Sequence, residues 1–303
     1  MSLIELTAPA KINLSLDVVG KRPDGYHLLR TVMQSIDLAD RITIEQSTNH
    51  EQPERIAVIT RNHDLIPNDR HNTAWKAAFV FFDELKDPFF EKVSVKLTID
   101  KHIPVAAGLA GGSADAAAVL VGLNKLYKTN LTIGELERLA VQVGADVPFT
   151  MHGGTILCEG IGEKLTPLPA WEDLYLLLCC PNDGLLTAQV FSDYDQADCV
   201  NHPDTERVVS AIRSRDLALL ASCTANVLQP VSESRRPELK AIRQALIEQG
   251  AVLAQMSGSG PSVFGLFRSQ VLCQKAANRL LQDLPDDVRI YVCRTTAAGP
   301  TEI

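Results

Sequence analysis

The stretch Pro104-Val-Ala-Ala-Gly-Leu-Ala-Gly-Gly-Ser-Ala-Asp-Ala-Ala-Ala118 has the residue types of an anion cradle. Glycines let backbone N–H groups come close to an anion, and a helix N-terminus carries partial positive charge. A strand-like alternation ends at Pro104. After Ser113 the chain is Ala-rich, with apolar residues at helical spacing through Tyr127. The glycines therefore fall in a strand-to-helix turn, which suits the phosphates of a nucleotide. A plain tight turn would use the same residues, so the loop does not decide the matter alone.

Better-known phosphate loops are missing. Lys21 follows Gly20, but no glycine stands five residues before Gly20 and Arg22 comes next, so there is no GxxxxGK[ST]. There is no GxGxxG either, which argues against protein kinases and dinucleotide folds. Gly111-Gly-Ser-Ala-Asp115 lacks the second glycine of a nucleophile elbow, so Ser113 is a poor hydrolase serine.

Asp146 follows the end of a predicted helix, where negative charge is unfavourable, and precedes a Val-Pro step. By itself it reads as the N-cap of a short following turn. Lys11 by itself reads as a solvated strand lysine. Together with a phosphate loop they become the parts of phosphoryl transfer to an alcohol. A carboxylate takes the hydroxyl proton, and a cation orients it and stabilises developing charge. A second glycine-rich run, Met256-Ser-Gly-Ser-Gly-Pro-Ser-Val-Phe264, leads into an apolar strand. It is either a plain turn or a loop packed against ligand or against the first glycine loop. Tyr26 and His27 follow a turn and could hold a planar base by stacking and hydrogen bonding. Alternatively they are a half-buried aromatic and a surface histidine.

These residues need elements to position them. Ala10, Ile12, Leu14, Leu16 and Val18 alternate with Lys11, Asn13, Ser15 and Asp17, which predicts a strand with one buried face and Lys11 and Asn13 side by side on the other. Arg22-Pro-Asp-Gly25 is a turn signature, and residues 28–46 continue as strand. A helix is predicted over Thr73–Leu85, opened by Asn72, and a strand over 93–99. Thr132-Ile-Gly-Glu135 fits a capping box for a helix ending near Gly144. The second half alternates, with strands at 174–180, 263–267 and 288–296 and helices at 205–221, 237–249 and 270–283. A glycine-rich stretch from His152 to Gly162 and prolines at 167 and 169 suggest a boundary near residue 165, giving domains 1–165 and 166–303. The mixture implies an α/β or α+β sandwich.

The chain has 303 residues, 46% hydrophobic and 22% charged, with net charge −8. That is ordinary for a soluble protein of about two domains and disfavours broad nucleic-acid or anionic-membrane binding. The seven cysteines are odd in number and lack metal spacing, so they read as reduced, mostly buried thiols. No signal peptide or membrane span is visible, and a cytoplasmic location is expected.

Three elements in this order resemble the GHMP kinase superfamily of small-molecule kinases. They are Pro9-Ala-Lys-Ile-Asn13, Pro104-x-x-x-Gly-Leu-Ala-Gly-Gly-Ser113 and Gly258-Ser-Gly-Pro-Ser-Val-Phe264. With Ala8 to Leu14, Arg22-Pro-Asp-Gly-Tyr-His27 and Gly144-Ala-Asp-Val-Pro-Phe149, the match narrows to the branch that phosphorylates 4-diphosphocytidyl-2-C-methyl-D-erythritol. The likeness covers nearly the whole chain. It implies ATP as co-substrate with Mg2+ carried on it, no dedicated metal cluster, and a small cytidyl diphosphate substrate. It implies action on the 2-hydroxyl in the non-mevalonate route to isoprenoids, and a monomer or weak homodimer is expected.

The same resemblance assigns residues. Asp146 matches the general base and Lys11 the lysine that positions it, with Asn13 near the acceptor. Tyr26 and Phe191 match stacking aromatics around cytosine and His27 a hydrogen-bonding group, with Thr187 nearby. Pro104, Val105, Ala106, Ala107, Gly108, Leu109, Ala110, Gly111, Gly112, Ser113 and Ala114 match the ATP phosphate loop, and Asn72 and Lys101 fall at the adenine pocket. Ala110 and Ala114 stand where many members have Gly and Ser; the first adds a methyl where backbone dihedrals are unusual, and neither removes a backbone donor. The implied fold is α+β in two domains, a ribosomal protein S5 domain 2-like half and a ferredoxin-like sandwich, with the site between them. Kinases for homoserine or mevalonate, which do not need the Tyr26-His27 pair, are the enzyme alternative. A ligand sensor that has lost catalysis is the other, and retention of Lys11 and Asp146 weighs against it.

Overall fold

A computed structural model describes residues 2–47, 55–64, 66–85, 93–197 and 201–303. Two long strands dominate the first half, β1 (Leu3–Lys21) and β2 (His27–Ser47), joined by the Arg22–Tyr26 turn. Gly25 supplies the positive φ the turn requires (+91°), and its N–H donates to the Arg22 carbonyl. β2 is long enough to serve two further partners. Its second half pairs with β4 (Ser94–Asp100) and its first half with β5 (Thr155–Gly160). β3 (Ile56–Arg61) runs parallel to β4, and β6 (Lys164–Pro167) closes a hairpin on β5.

Among the described residues this half carries the helices α1 (Thr73–Leu85), α2 (Gly111–Tyr127), α3 (Ile133–Val143) and α4 (Val147–His152). The alanines of α2 are buried and let it lie close to the sheet. A Cβ at Gly122 would come within 2.5 Å of Ile44 Cδ1. The Thr132/Glu135 capping box of α3 forms as the sequence indicates.

The second sheet contains β7 (Tyr175–Pro181), β8 (Leu253–Met256), β9 (Val263–Phe267) and β10 (Val288–Arg294), ordered β10-β7-β9-β8 and antiparallel throughout. Helices α5 (Thr187–Tyr194), α6 (Thr205–Ser214), α7 (Leu217–Cys223), α8 (Gln229–Arg235) and α9 (Pro237–Glu248) lie between β7 and β8. α10 (Gln270–Asp283) lies between β9 and β10. Counting only these four strands, the spatial order is fourth, first, third, second, with helical crossovers before the second and fourth. That is the ferredoxin-like pattern.

The halves share one apolar core, which runs from Leu6, Ile12 and Leu14 to Leu176, Leu178 and Phe264. The chain end returns to the first sheet as β11 (Thr301–Glu302) beside β1. No helix among the described residues is long and apolar enough to cross a membrane.

Two expectations change. The helix expected over 205–221 is two. Arg215 adopts φ 53°, ending α6, and the Asp216 carboxylate accepts from the N–H groups of Ala218 and Leu219 to start α7. β1 was expected to bury one face, yet it is buried on both from Ala8 to Asp17. Its polar side meets the second half of the chain, where the Ser257 hydroxyl accepts from the Asn13 N–H and Gln255 Nε2 donates to the Asn13 and Leu14 carbonyls. The alternation separates the two faces, but one strand cannot reveal that a distant part of the chain covers its polar face.

Candidate active site

A cleft of about 1180 Å³ runs between the two halves. Its walls include Lys11, the phosphate loop, Asp146, the Tyr26 turn, α5 and the second glycine loop. β1 brings Lys11 to its floor. Register shifts against β2 between Pro9 and Lys11 and between Asn13 and Ser15 flank the two polar residues, as bulges do where a strand must re-aim its side chains. The Lys11 N–H donates to the Leu109 carbonyl, tying the strand to the phosphate loop.

Lys11 is 4% exposed, so it is not a solvated strand lysine. Its ammonium donates to Asn13 Oδ1 at 2.8 Å and to the Gly108 carbonyl at 3.3 Å, and it lies 3.5 Å from Asp146 Oδ2. Asp146 sits at the N-cap position of α4, but its side chain makes no capping hydrogen bond. The carboxylate stands beside Lys11 instead, about one-third exposed along the cleft. A carboxylate near an ammonium and open to a ligand can accept a hydroxyl proton while the ammonium steadies the resulting charge.

The phosphate loop is shaped by three positive φ values, at Ala106 (52°), Gly108 (77°) and Ala110 (55°). Ala110 is the N-cap of α2 and has no side chain with which to cap it, while Gly111, Gly112 and Ser113 line the cleft. The first N–H groups of a helix lack intrahelical partners and suit an anion. Alanine in the left-handed region is strained, so Ala110→Gly should raise the melting temperature, with a net gain of up to about 1 kcal/mol. A lower melting temperature would show that the methyl contributes packing that outweighs the strain.

The second glycine loop packs on the first. The Ser257 hydroxyl donates to the Gly108 carbonyl (2.9 Å), and the Ser262 N–H donates to the Ala107 carbonyl. A Cβ at Gly108 would lie 2.2 Å from the Ser257 carbonyl oxygen, so only glycine fits this contact. Of the two readings of the Met256–Phe264 run, contact with the first glycine loop is the one observed. Thr187 opens α5 and shares a 2.9 Å hydroxyl–hydroxyl hydrogen bond with Ser259 of this loop.

Asn72 caps α1, its Oδ1 accepting from the Ala74 N–H, and Thr73 donates to the Gly112 carbonyl. Both line the cleft, as does Lys101. Lys101 is buried in an ion triad, donating to Asp40 Oδ2 and to Asp115 Oδ2 (2.8 Å); Asp40 Oδ1 accepts the N–H groups of His102 and Ile103. Burial alone would lower the Lys101 pKa, but the two carboxylates outweigh it and raise it. Burial pushes Asp115 up to about 8, helped by the charge of Asp40 and opposed by Lys101.

The folded chain thus holds a proton on Asp115 that the unfolded chain releases near its ordinary value of 3.8. The associated stability is complete below that value and is lost as pH rises toward about 8. Asp115→Asn, which mimics the protonated acid, should flatten the fall in melting temperature across that window. An unchanged pH profile of melting would contradict this.

At the other end of the cleft the His27 ring stacks on Phe191, with centroids 4.7 Å apart and planes at 22°, and its Nε2 pairs with Asp195 at 2.7 Å. Lys21 also donates to Asp195. Tyr26 is 61% exposed beside the same cavity. The half-buried aromatic and surface histidine are therefore reversed. The tyrosine is free to meet a ligand, and the histidine is held.

Sequence reading missed Asp195, Ser257, Thr31 and the Asp40–Asp115 pair. A carboxylate at 115 inside an alanine run was a visible signal. The others are contacts between distant segments, which no local pattern marks. Six cysteines are described, all free and buried, and Cys199 lies outside the described residues. Burial raises the thiol pKa values of Cys158, Cys179 and Cys293, so they are poor nucleophiles.

Two family descriptions match, "GHMP kinases N terminal domain" over residues 72–154 and "GHMP kinases C terminal" over 208–286. The chain is 44% identical over 264 residues to 4-diphosphocytidyl-2-C-methyl-D-erythritol kinase of Clostridium tetani, covering 87% of this chain and 91% of that one. It is 44% identical over 273 residues to the enzyme of the same name from a Geobacillus species, covering 90% and 91%. A crystal structure of 4-(cytidine 5'-diphospho)-2C-methyl-D-erythritol kinase superposes with a TM-score of 0.78 at 30% identity, covering 96% of this chain and 99% of that one. Homoserine kinase from Cytophaga hutchinsonii superposes at 0.79 with 20% identity, covering 100% and 98%, a likeness of fold alone. The fold is shared with a homoserine kinase, whereas 44% identity over about nine-tenths of the chain is shared with these two erythritol kinases, and the chain belongs to the 4-diphosphocytidyl-2-C-methyl-D-erythritol kinase family of GHMP kinases.

Proposed function

We propose that the protein transfers the γ-phosphoryl group of ATP to the 2-hydroxyl of 4-diphosphocytidyl-2-C-methyl-D-erythritol, a step toward isoprenoid precursors by the non-mevalonate route. The observation that carries this reading is the Lys11–Asp146 pair, 3.5 Å apart in the same cleft as the phosphate loop and the Tyr26–His27–Phe191 group. Asp146 takes the proton of the acceptor hydroxyl as the oxygen attacks phosphorus. Lys11 stays charged, holds Asp146 in place and stabilises the negative charge on the attacking and transferred oxygens. Backbone N–H groups at the start of α2 receive the triphosphate, and Asn72 and Lys101 border the adenosine end.

Among the described residues no group of three or more His, Cys, Asp or Glu could hold a metal ion. Mg2+ bound to a triphosphate needs only one or two protein oxygens, and the Ser113 hydroxyl would offer one beside the loop. The ion would neutralise phosphate charge. The protein's part is to orient the oxygens around it.

Tyr26 and Phe191 supply aromatic faces for the cytosine, and His27 a hydrogen-bonding edge. Tyr26→Ala should weaken the cytidyl substrate by about 1–3 kcal/mol and leave ATP affinity unchanged. Titrating both ligands into the variant checks this, and equal losses for both would remove Tyr26 from the cytosine site. The reaction is tested by 31P NMR of protein, MgATP and the cytidyl substrate. A new phosphomonoester signal with ADP is expected. ATP binding without that signal would leave the ligand-sensor reading in its place.

A further inference from the structure

We propose that Thr31 is a positioning residue for phosphoryl transfer, acting through Asn13 to fix the ammonium of Lys11 and through it Asp146. This rests on the roles given above to Lys11 and Asp146. Thr31 lies on β2 opposite Leu16 and is fully buried, and its hydroxyl donates to the Ser15 carbonyl at 2.6 Å. A hydroxyl has one hydrogen. With that hydrogen committed to Ser15, Thr31 Oγ1 can only accept from its other close partner, Asn13 Nδ2 at 2.9 Å.

The direction of the whole chain follows. The NH2 end of the Asn13 amide must face Thr31, so Oδ1 faces Lys11 Nζ at 2.8 Å. Rotating the amide by half a turn would set NH2 against an ammonium and its oxygen against a hydroxyl with no hydrogen left to give. Both ends penalise it, in a place nearly closed to water, since Asn13 is 1% exposed and Lys11 4%. The Asn13 backbone is held as well, its N–H donating to Ser257 and its carbonyl accepting from Gln255.

Lys11 therefore has a fixed acceptor on β1, a second in the Gly108 carbonyl and a third partner in Asp146. Two N–H groups donated to two segments, with a carboxylate 3.5 Å away on a third, leave the ammonium little freedom. Without an ordered Oδ1 the Lys11–Asp146 pair loses one of its supports. The Thr31 hydroxyl thus sets the position of a carboxylate it does not touch.

Thr31→Val keeps the shape and removes the hydroxyl. Its kcat should fall roughly ten- to a hundredfold, with KM for ATP and the substrate near the original values. Thr31→Ser should restore most of the loss. In an Asn13→Asp background, where both side-chain oxygens accept and no amide orientation remains to be set, adding Thr31→Val should lower kcat little further. Unchanged kcat in Thr31→Val overturns the proposal. So does a loss confined to KM, an equal loss in the Asn13→Asp background, or no recovery with serine. Asp146→Asn is measured alongside. Near-normal turnover there would remove the base role itself, whereas an inactive Asp146→Asn beside a normal Thr31→Val would remove only the Thr31 relay.

Discussion

Asp146→Asn should lower kcat by about 10²–10⁴-fold, the range for a positioned general base, while ATP still binds. The amide keeps the size of the side chain but cannot take the acceptor proton. ATP binding should survive because Asp146 makes no capping hydrogen bond and supports no part of the phosphate loop through its side chain. Its ionic partner among the described residues is Lys11, which keeps Asn13 and the Gly108 carbonyl as acceptors. Fold and nucleotide site are therefore expected to persist. Steady-state turnover together with calorimetric titration of ATP separates the two effects. Turnover within about threefold of the original would contradict the assignment, since that is less than the smallest effect of losing a base.

The second large effect is on stability. Lys101→Met should cost about 3–5 kcal/mol, because it leaves the Asp40 carboxylate without its cation in a site closed to water. The damage would reach the nucleotide. Asp40 also holds the N–H groups of His102 and Ile103, which lead into Pro104, and Asp115 lies in the first turns of α2. The triad thus clamps both ends of the phosphate loop. Denaturant unfolding measures the loss, and ATP titration should show weaker binding at temperatures where the variant is folded. A change below about 1 kcal/mol would mean that water or rearrangement compensates Asp40, and the clamp would have no force.

Much of this site is legible in the amino-acid sequence. Lys11, Asn13, the phosphate loop and Asp146 lie in short segments whose residue types follow from local demands such as positive φ, a helix start and alternation along a strand. Glycine at 108 is such a demand, although the contact with Ser257 that requires it comes from 149 residues away. The Lys101 triad and the Thr31 relay are not legible. They join residues 61 and 18 positions apart through pairing of β2 with its neighbours, and nothing local to Asp40 or Thr31 distinguishes them. The break between α6 and α7 escapes for another reason. Apolar spacing runs on through Arg215, and only its left-handed backbone interrupts it. The burial of both faces of β1 requires the other half of the chain and leaves no mark within β1 itself.

In the proposed reaction one cleft both reads a cytosine and phosphorylates an alcohol. The most direct measurement is kcat/KM for 4-diphosphocytidyl-2-C-methyl-D-erythritol beside the same acceptor without its cytidine, homoserine and mevalonate. Stacking and hydrogen bonding at Tyr26, His27 and Phe191 predict a preference of at least about a hundredfold for the cytidyl compound. Equal or faster turnover of an acceptor lacking cytidine would contradict the account, leaving a small-alcohol kinase whose aromatic end serves some other purpose.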